Sequence, residues 1–333
     1  KSKKILESIS ILKGGLPVSV SVQSTDDKVL ENINRRNIPA QTAIDVIKES
    51  DNFGGTSLAE VILALPEDTK EKHFKSMFDM MDAGSNVVRS HQLLMLPDSD
   101  MNTREYRKKY GLETRYRLQP KCFGNYEFEG EFFPCAEIDE LCVANKTMSY
   151  QDYLDCRFLN FTVELFYNNG VFNEYINLLK HYGILPSILI KKINNEVLET
   201  SLKDLYDNFL QETEQSLYKD KFELEKIIKK PGMIDRYIKE DLRINEQLTF
   251  RAKAFFYQMD ELHKIVLNAT RELLKNKSVF GKNQEEYLNE LTRFSLLRKN
   301  NLLSLDVKKT DKFHYDFVKI SKRNFEDTPF SCF

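Results

Sequence analysis

The chain has 333 residues, 41% of them hydrophobic and 30% charged, enough to bury a large core and to make two domains. Lys plus Arg (49) nearly balance Asp plus Glu (51), for a formal charge of -2, which excludes the global basic field that would advertise a nucleic-acid partner. No apolar run approaches the roughly 18 residues of a membrane-spanning helix, and the five cysteines include no CxxC or other close pair, so a membrane protein, a disulfide scaffold and a self-contained metal knot are set aside and a cytoplasmic location is expected.

In chain order, Ile5, Leu6, Ile9 and Leu12 already trace a helical stripe from a first residue that is Lys. The chain is therefore expected to open inside a helix and to be a fragment. Gly14 and Gly15 end that helix. Val18 to Val22 read as a short strand, with Val18, Val20 and Val22 on one face and Ser19, Ser21 and Gln23 on the other. Ser24 and Thr25 then start a short helix at about 26–34, with Asp26 and Asp27 in its first turn and Arg35 at its end. Ala43, Ile44 and Ile47 mark a return helix, Leu58 to Leu65 (LAEVILAL) a second strand, Phe74, Met77, Phe78 and Met81 another helix, and Val87 to Leu96 a third strand. This alternation is that of a parallel sheet or barrel.

Three βα units are too few to close a barrel, and a first strand at Val18 leaves an open parallel edge. The expected fold is α/β: the C-terminal half of a partial (β/α) TIM-like barrel, its missing strands preceding Lys1, followed by an all-α domain. The expected boundaries are 1–120 for the βα units, 121–148 for a connecting segment and 149–333 for the helical domain. In the connecting segment, KCFGNYEFEGEFFPC suggests a hairpin or an ordered loop. Candidate helices follow at about 150–168, 171–182, 187–196, 201–217, 220–229, 234–275 and 283–298, and KFHYDFVKI near the end reads as a closing strand.

Three polar residues resist a purely structural reading of the α/β part. Glu60 sits in the middle of LAEVILAL, where a carboxylate is costly unless something pairs with it. Gln23 ends a strand whose Ser19, Ser21, Gln23 face suits a polar lumen. The connection from Gln23 to Leu58 is longer than one return helix requires, so a short helix can cross the mouth and aim Arg35 at the C-terminal strand ends. Against this, a strand Glu can be a structural ion pair, a strand-end Gln can cap a carbonyl, and most arginines are solvated.

VQSTDDKVLENINRR, EVILALPEDT and HQLLMLPDSDMN together resemble the fourth-, fifth- and sixth-strand segments of the radical S-adenosylmethionine enzymes. The closest likeness is to the subgroup that often carries an N-terminal cobalamin-binding domain. The resemblance covers roughly residues 1–120, and more loosely 120–160. It implies that Gln23, Arg35 and Glu60 hold the ribose and the methionyl carboxylate of S-adenosylmethionine. It departs from the family where Ala64 replaces a glycine before Leu65 and Pro66, and in the absence of the CxxxCxxC loop that binds the 4Fe-4S cluster.

What the resemblance implies about chemistry is reductive cleavage of S-adenosylmethionine at a 4Fe-4S cluster, giving a 5′-deoxyadenosyl radical that acts on an unknown small-molecule or other substrate. A reductant such as flavodoxin or ferredoxin would supply the electron, cobalamin is a possible second cofactor, and this chain alone would be inactive. His91 and Gln92 on the third strand are candidates for the substrate side, although a strand histidine is commonly a core or rim residue. Cys122, Cys135, Cys142 and Cys156 are spaced as no metal motif is, and Tyr153, Phe158, Phe161 and Phe166 recur at core spacing. The alternative is a non-catalytic scaffold whose helical domain is a protein-interaction module, in which Glu60 would pair with a local Lys or Arg. A non-radical barrel that binds phosphate would want a glycine-rich loop, and none is present.

Overall fold

Alternating valines draw Val18–Gln23 into strand β1, and the chain then runs through α1 (Asp27–Asn32), α2 (Ala40–Asn52), β2 (Ser57–Leu63), α3 (Lys70–Asp82) and β3 (Val87–Gln92). The structure, a computed structural model, describes residues 17–35, 40–52, 55–240, 245–299 and 310–322, with 7, 8, 11 and 15. The stripe of Ile5, Leu6, Ile9 and Leu12, and Cys332, lie outside the described residues. The three strands form a parallel sheet in the order β1-β2-β3. Among the described residues the sheet does not close into a barrel.

Local chemistry sets the helix starts. The Asp26 carboxylate accepts from the Val29 amide at the head of α1, and the Thr69 hydroxyl accepts from the Lys72 amide at the head of α3. One face of the sheet is apolar and covered: Val18, Val20, Val22, Ala59, Val61 and Val88 share a core with Ile47 of α2 and Met77, Met80 and Met81 of α3. Burying each Val, Ile or Met side chain among them contributes roughly 1.5–3 kcal/mol, so this face fixes the register. The opposite face, with Ser19, Ser21, Glu60, Arg89 and His91, stays half-buried or exposed.

Two strand ends adopt left-handed backbone. Gln23 has φ 67°, after an irregularity in the β1–β2 register between Ser21 and Gln23, and Ala64 has φ 67° just past β2. Left-handed backbone is where glycine costs least. That accounts physically for the glycine expected at position 64.

The third strand is shorter than the apolar run suggests. After Gln92 the chain switches partners: the Cys142 amide donates to the Leu93 carbonyl (2.9 Å) and the Met95 amide to the Glu140 carbonyl (2.9 Å). These contacts tie the sheet to an antiparallel hairpin, reached through α4 (Arg104–Tyr110) and formed by β4 (Glu113–Phe128) and β5 (Glu131–Ala144). Its tip, Glu129 and Gly130, has positive φ at both positions, as a tight two-residue turn requires.

From Ser149 the described chain is helical: α5 (Tyr150–Phe166), α6 (Asn173–His181), α7 (Pro186–Glu196), α8 (Lys203–Gln215), α9 (Lys221–Ile228), α10 (Met233–Lys239), α11 (Glu246–Tyr257), α12 (Met259–Asn276), α13 (Lys282–Lys299) and α14 (Phe317–Lys322). A capping box of Ser149 and Asp152 starts α5. Two expectations are corrected here. The single helix read over 234–275 is three, α10 to α12, with residues 241–244 outside the described set and Gln258 (φ -132°, ψ 24°) breaking α11 from α12. The apolar period runs on across that break because Phe250 and Ala254 before it, and Leu262 and Val266 after it, fill one core. KFHYDFVKI is no closing strand, since Phe317–Lys322 is helical. Its alternating rings gather instead on α13, with Phe313 and Phe317 against Phe294 and Tyr315 against Tyr287.

The outer edge of β3 is covered by a side chain. Asn168 accepts from the Val88 amide (2.8 Å) and donates to the Val88 carbonyl (3.1 Å), and its amide also donates to Glu164 (2.6 Å), which pairs with Arg251 of α11 (2.8 Å).

Candidate functional site

Strand direction places the C-terminal ends of β1, β2 and β3 together, and there a cavity of about 530 Å³ opens, lined by Gln23, Arg35, Ile62, Ser90, His91 and Gln92 together with Arg117, Arg157 and Glu246. This is the end of a parallel sheet at which α/β folds place their ligands. Four of the five residues singled out in the sequence line this one space.

The fifth, Glu60, lies further down the open face and is joined to the cavity wall by hydrogen bonds. Its carboxylate accepts from Ser21 (2.7 Å) and Ser19 (3.2 Å) on one oxygen, and on the other lies 3.2 Å from His91 Nε2. The Ser21 hydroxyl, with His91, holds the Glu60 carboxyl below the usual carboxylate range against the opposing effect of partial burial. Among the described residues Glu60 makes no ion pair with Lys or Arg. Arg35 reaches the same strand: its Nη2 donates to the Ser21 carbonyl (3.4 Å) and the side chain is otherwise exposed. Ser21 thus gives its hydroxyl to Glu60 and its carbonyl to Arg35. Gln23 is buried at the strand end. Gln92 is held by Tyr153 of α5, whose hydroxyl donates to the Gln92 amide oxygen.

The wall opposite the sheet comes from the helical half. Arg157 of α5 donates to Glu246 (2.6 Å) and Gln247 (3.3 Å) at the start of α11, with both charged side chains nearly excluded from solvent. A charge pair so enclosed holds its geometry, because separating it would leave an unpaired charge in a poor solvent. Behind Ser90 lies a buried polar pair: His73 Nε2 is 3.2 Å from the Ser90 hydroxyl and His73 Nδ1 is 3.9 Å from Asp68. Burial lowers His73 to about 4 and raises Asp68 to about 8. Burial favours the neutral form of each.

Tyr153 belongs to the core as its spacing predicts, yet its hydroxyl also serves the cavity. Arg157 and Glu246 had one signal in the sequence. Arg157 sits among Tyr153, Leu154, Cys156 and Leu159 in YQDYLDCRFLNFTVELF, and a charge among such neighbours demands a partner.

The donor set fits S-adenosylmethionine in kind: an exposed guanidinium for a carboxylate, an ionised carboxylate for ribose hydroxyls and a strand-end amide between them. It does not fit a cluster. Cys122 and Cys135 are exposed on the hairpin, Cys142 and Cys156 are buried with thiols pushed up by desolvation, and no group of three or more His, Cys, Asp or Glu among the described residues is arranged to hold a metal ion. No helix among them is long and apolar enough to cross a membrane.

No protein-family model matches the chain. It is 27% identical over 162 residues to the 2-(S-pantetheinyl)-carbapenam-3-carboxylate methyltransferase of Streptantibioticus cattleyicolor, covering 48% of this chain and 23% of the relative. It is 26% identical over 170 residues to the cobalamin-dependent radical SAM methyltransferase TokK of Streptomyces tokunonensis, covering 50% of this chain and 24% of the relative. The alignments therefore span about a quarter of the length of the curated relatives. Over about half its length the chain is distantly homologous to cobalamin-dependent radical SAM methyltransferases.

Proposed function

We propose that this chain contributes the later βα units and a helical domain to a cobalamin-dependent radical S-adenosylmethionine enzyme that transfers a methyl group, and that Gln23, Arg35 and Glu60 hold the S-adenosylmethionine. The observation that carries this reading is the shared use of Ser21 by Arg35 and Glu60, on the open face of a parallel sheet and beside Gln23. The barrel architecture, the substrate and the reductant, a flavodoxin or ferredoxin, are parts of the same proposal.

S-adenosylmethionine, with a reduced 4Fe-4S cluster and cobalamin bound elsewhere in the complete protein, supplies the radical and methyl-transfer chemistry. The residues here bind and orient. Arg35 clamps a carboxylate through two parallel hydrogen bonds. Glu60, ionised at neutral pH, accepts from hydroxyls, while His91 and the two serines fix its rotamer. Gln23 donates and accepts at the strand end, and Gln92, pinned by Tyr153, faces the substrate side with His91. Such positioning raises rate by holding reactants in near-attack geometry.

The scaffold reading would have Glu60 neutralised by a local Lys or Arg, and its hydroxyl and imidazole partners favour the enzyme reading instead. The test is S-adenosylmethionine binding to the complete enzyme by equilibrium dialysis, wild type against Arg35→Ala and Glu60→Gln. Weakened binding in both is expected, and unchanged binding would remove the site. A CxxxCxxC motif encoded upstream of Lys1 is the independent check on the family.

A further inference from the structure

A second cavity opens at the other end of the sheet, away from Gln23 and Arg35. About 820 Å³ in volume, it is bounded by Thr56 and Asn86 at the N-terminal ends of β2 and β3 and by Asn169, Asn173, Asn177 and Lys180. A smaller recess of about 310 Å³ shares Asn173 and Asn177 with it and runs on to Glu174, Arg298 and Lys299. Each is of the size that small-molecule sites take, roughly 300–1,000 Å³.

The lining is built by helix period. Asn173, Asn177 and Lys180 stand at i, i+4 and i+7 on one stripe of α6, while Tyr175, Ile176, Leu178 and Leu179 bury the other side. At the foot of the stripe Asn169 (φ 59°) and Gly170 (φ 65°) are two successive left-handed residues, a conformation that Gly and Asn adopt most readily. Across from it the Asn86 side-chain oxygen is engaged by the Ser57 amide (2.7 Å) and hydroxyl (3.1 Å), so the Asn86 amide is fixed in orientation. The side chains of Asn169, Asn173 and Asn177 make no hydrogen bond among the described residues. Four amides line this space: Asn169, Asn173 and Asn177 can each give and accept, and Asn86, its oxygen taken by Ser57, can give.

Charge decides the ligand. Glu174 is the carboxylate of the lining, and it is already shared between Lys299 (3.1 Å) and Arg298 (3.5 Å). Lys180 makes no ion pair among the described residues. Three cations against one engaged carboxylate leave the space net positive, which disfavours a cationic ligand and favours an anion. The amides add affinity for hydroxyl groups rather than for a bare ion.

We propose that this cavity binds a phosphate ester of a hydroxyl-rich small molecule, its phosphate taken by the lysine and arginine side chains and its hydroxyls by the asparagine amides. A sugar phosphate and a nucleotide share that chemistry. The site is independent of the S-adenosylmethionine reading, lying at the opposite ends of the strands.

The test is isothermal titration of the full chain at low ionic strength with ribose 5-phosphate, ATP and, as control, ribose. Saturable binding of at least one ester, at least tenfold tighter than ribose, is expected. It should weaken at least tenfold in both Lys180→Met and Asn177→Leu, whose thermal midpoints confirm folding. If Asn177→Leu fails to fold, Lys180→Met with the salt dependence of binding carries the decision, because phosphate contact predicts affinity that falls as salt rises. ATP tighter than ribose 5-phosphate assigns a nucleotide, and the two equal or reversed assign a sugar phosphate. No saturable ester binding, ribose binding as tight as the esters, or ester binding unchanged in the variants would overturn the proposal.

Discussion

Asn168 takes both backbone groups of Val88 at once, accepting from its amide and donating to its carbonyl. The edge of a parallel strand is a row of unpaired donors and acceptors, and here a side chain from the helical half covers part of it. Asn168→Ala leaves a buried N–H and C=O without partners and takes one of two partners from Glu164, which keeps Arg251, so the variant should lose roughly 2–4 kcal/mol of stability. Urea unfolding of the two proteins measures it.

The Arg157–Glu246 pair, with side-chain exposures of 3% and 8%, gives a different pattern. Arg157→Met leaves Glu246 buried and alone and should cost about 3–5 kcal/mol, whereas the double variant with Glu246→Met should cost much less, because the desolvation of both ions disappears with them. A double-mutant cycle in urea reads the difference. Equal losses in the single and double variants would mean that the pair is not what holds α5 to α11.

On the proposed reading of the site, Arg35→Ala in the complete enzyme should weaken S-adenosylmethionine binding by about 2–5 kcal/mol, the cost of removing one partner of a desolvated charge pair. Ser21→Ala should weaken it less. The serine touches Glu60 and Arg35 rather than ligand, so its loss relaxes their positions without removing a charge. Equilibrium dialysis ranks the two.

Asp68 carries a pH signature. Its carboxyl is raised by burial from 3.8 to about 8, so between those values the folded state keeps a proton that the unfolded chain has released. Stability attributable to this group is complete below the unfolded value and falls as pH rises, by about 1.4 kcal/mol per unit, until the folded group itself ionises. Asp68→Asn removes the titration. The variant should therefore gain on the wild type steadily from about pH 4 to about pH 8 and run parallel above, as urea midpoints across that range would record.

How much of this was legible depended on how local the cause was. The strands at Val18, Ser57 and Val87 follow from alternation and β-branched runs; the cavity residues Gln23, His91 and Gln92 came into view because each lies at a strand end, and Arg35 because a short helix follows β1 and ends just before it. The break at Gln258 was hidden because the core on both sides of it shares one apolar period. The C-terminal aromatics read as a strand because a ring cluster around Phe294 imposes its own alternation. Tyr153, Arg157 and Glu246 were missed as cavity residues because chain distance separates them from the sheet they face, and packing alone brings them there.

Gln23 keeps a side chain in left-handed backbone (φ 67°) while lining the cavity. An L-residue there costs roughly 1–2 kcal/mol relative to glycine, so fold and site pull on this position in opposite directions. A saturation library at residue 23, sorted for thermal stability alone, should enrich Gly and Asn and deplete Val and Ile. On the proposed reading of the site, the same library sorted for turnover in the complete enzyme should return Gln. The divergence between the two enrichments would measure, at one codon, how far selection for ligand has outweighed selection for backbone.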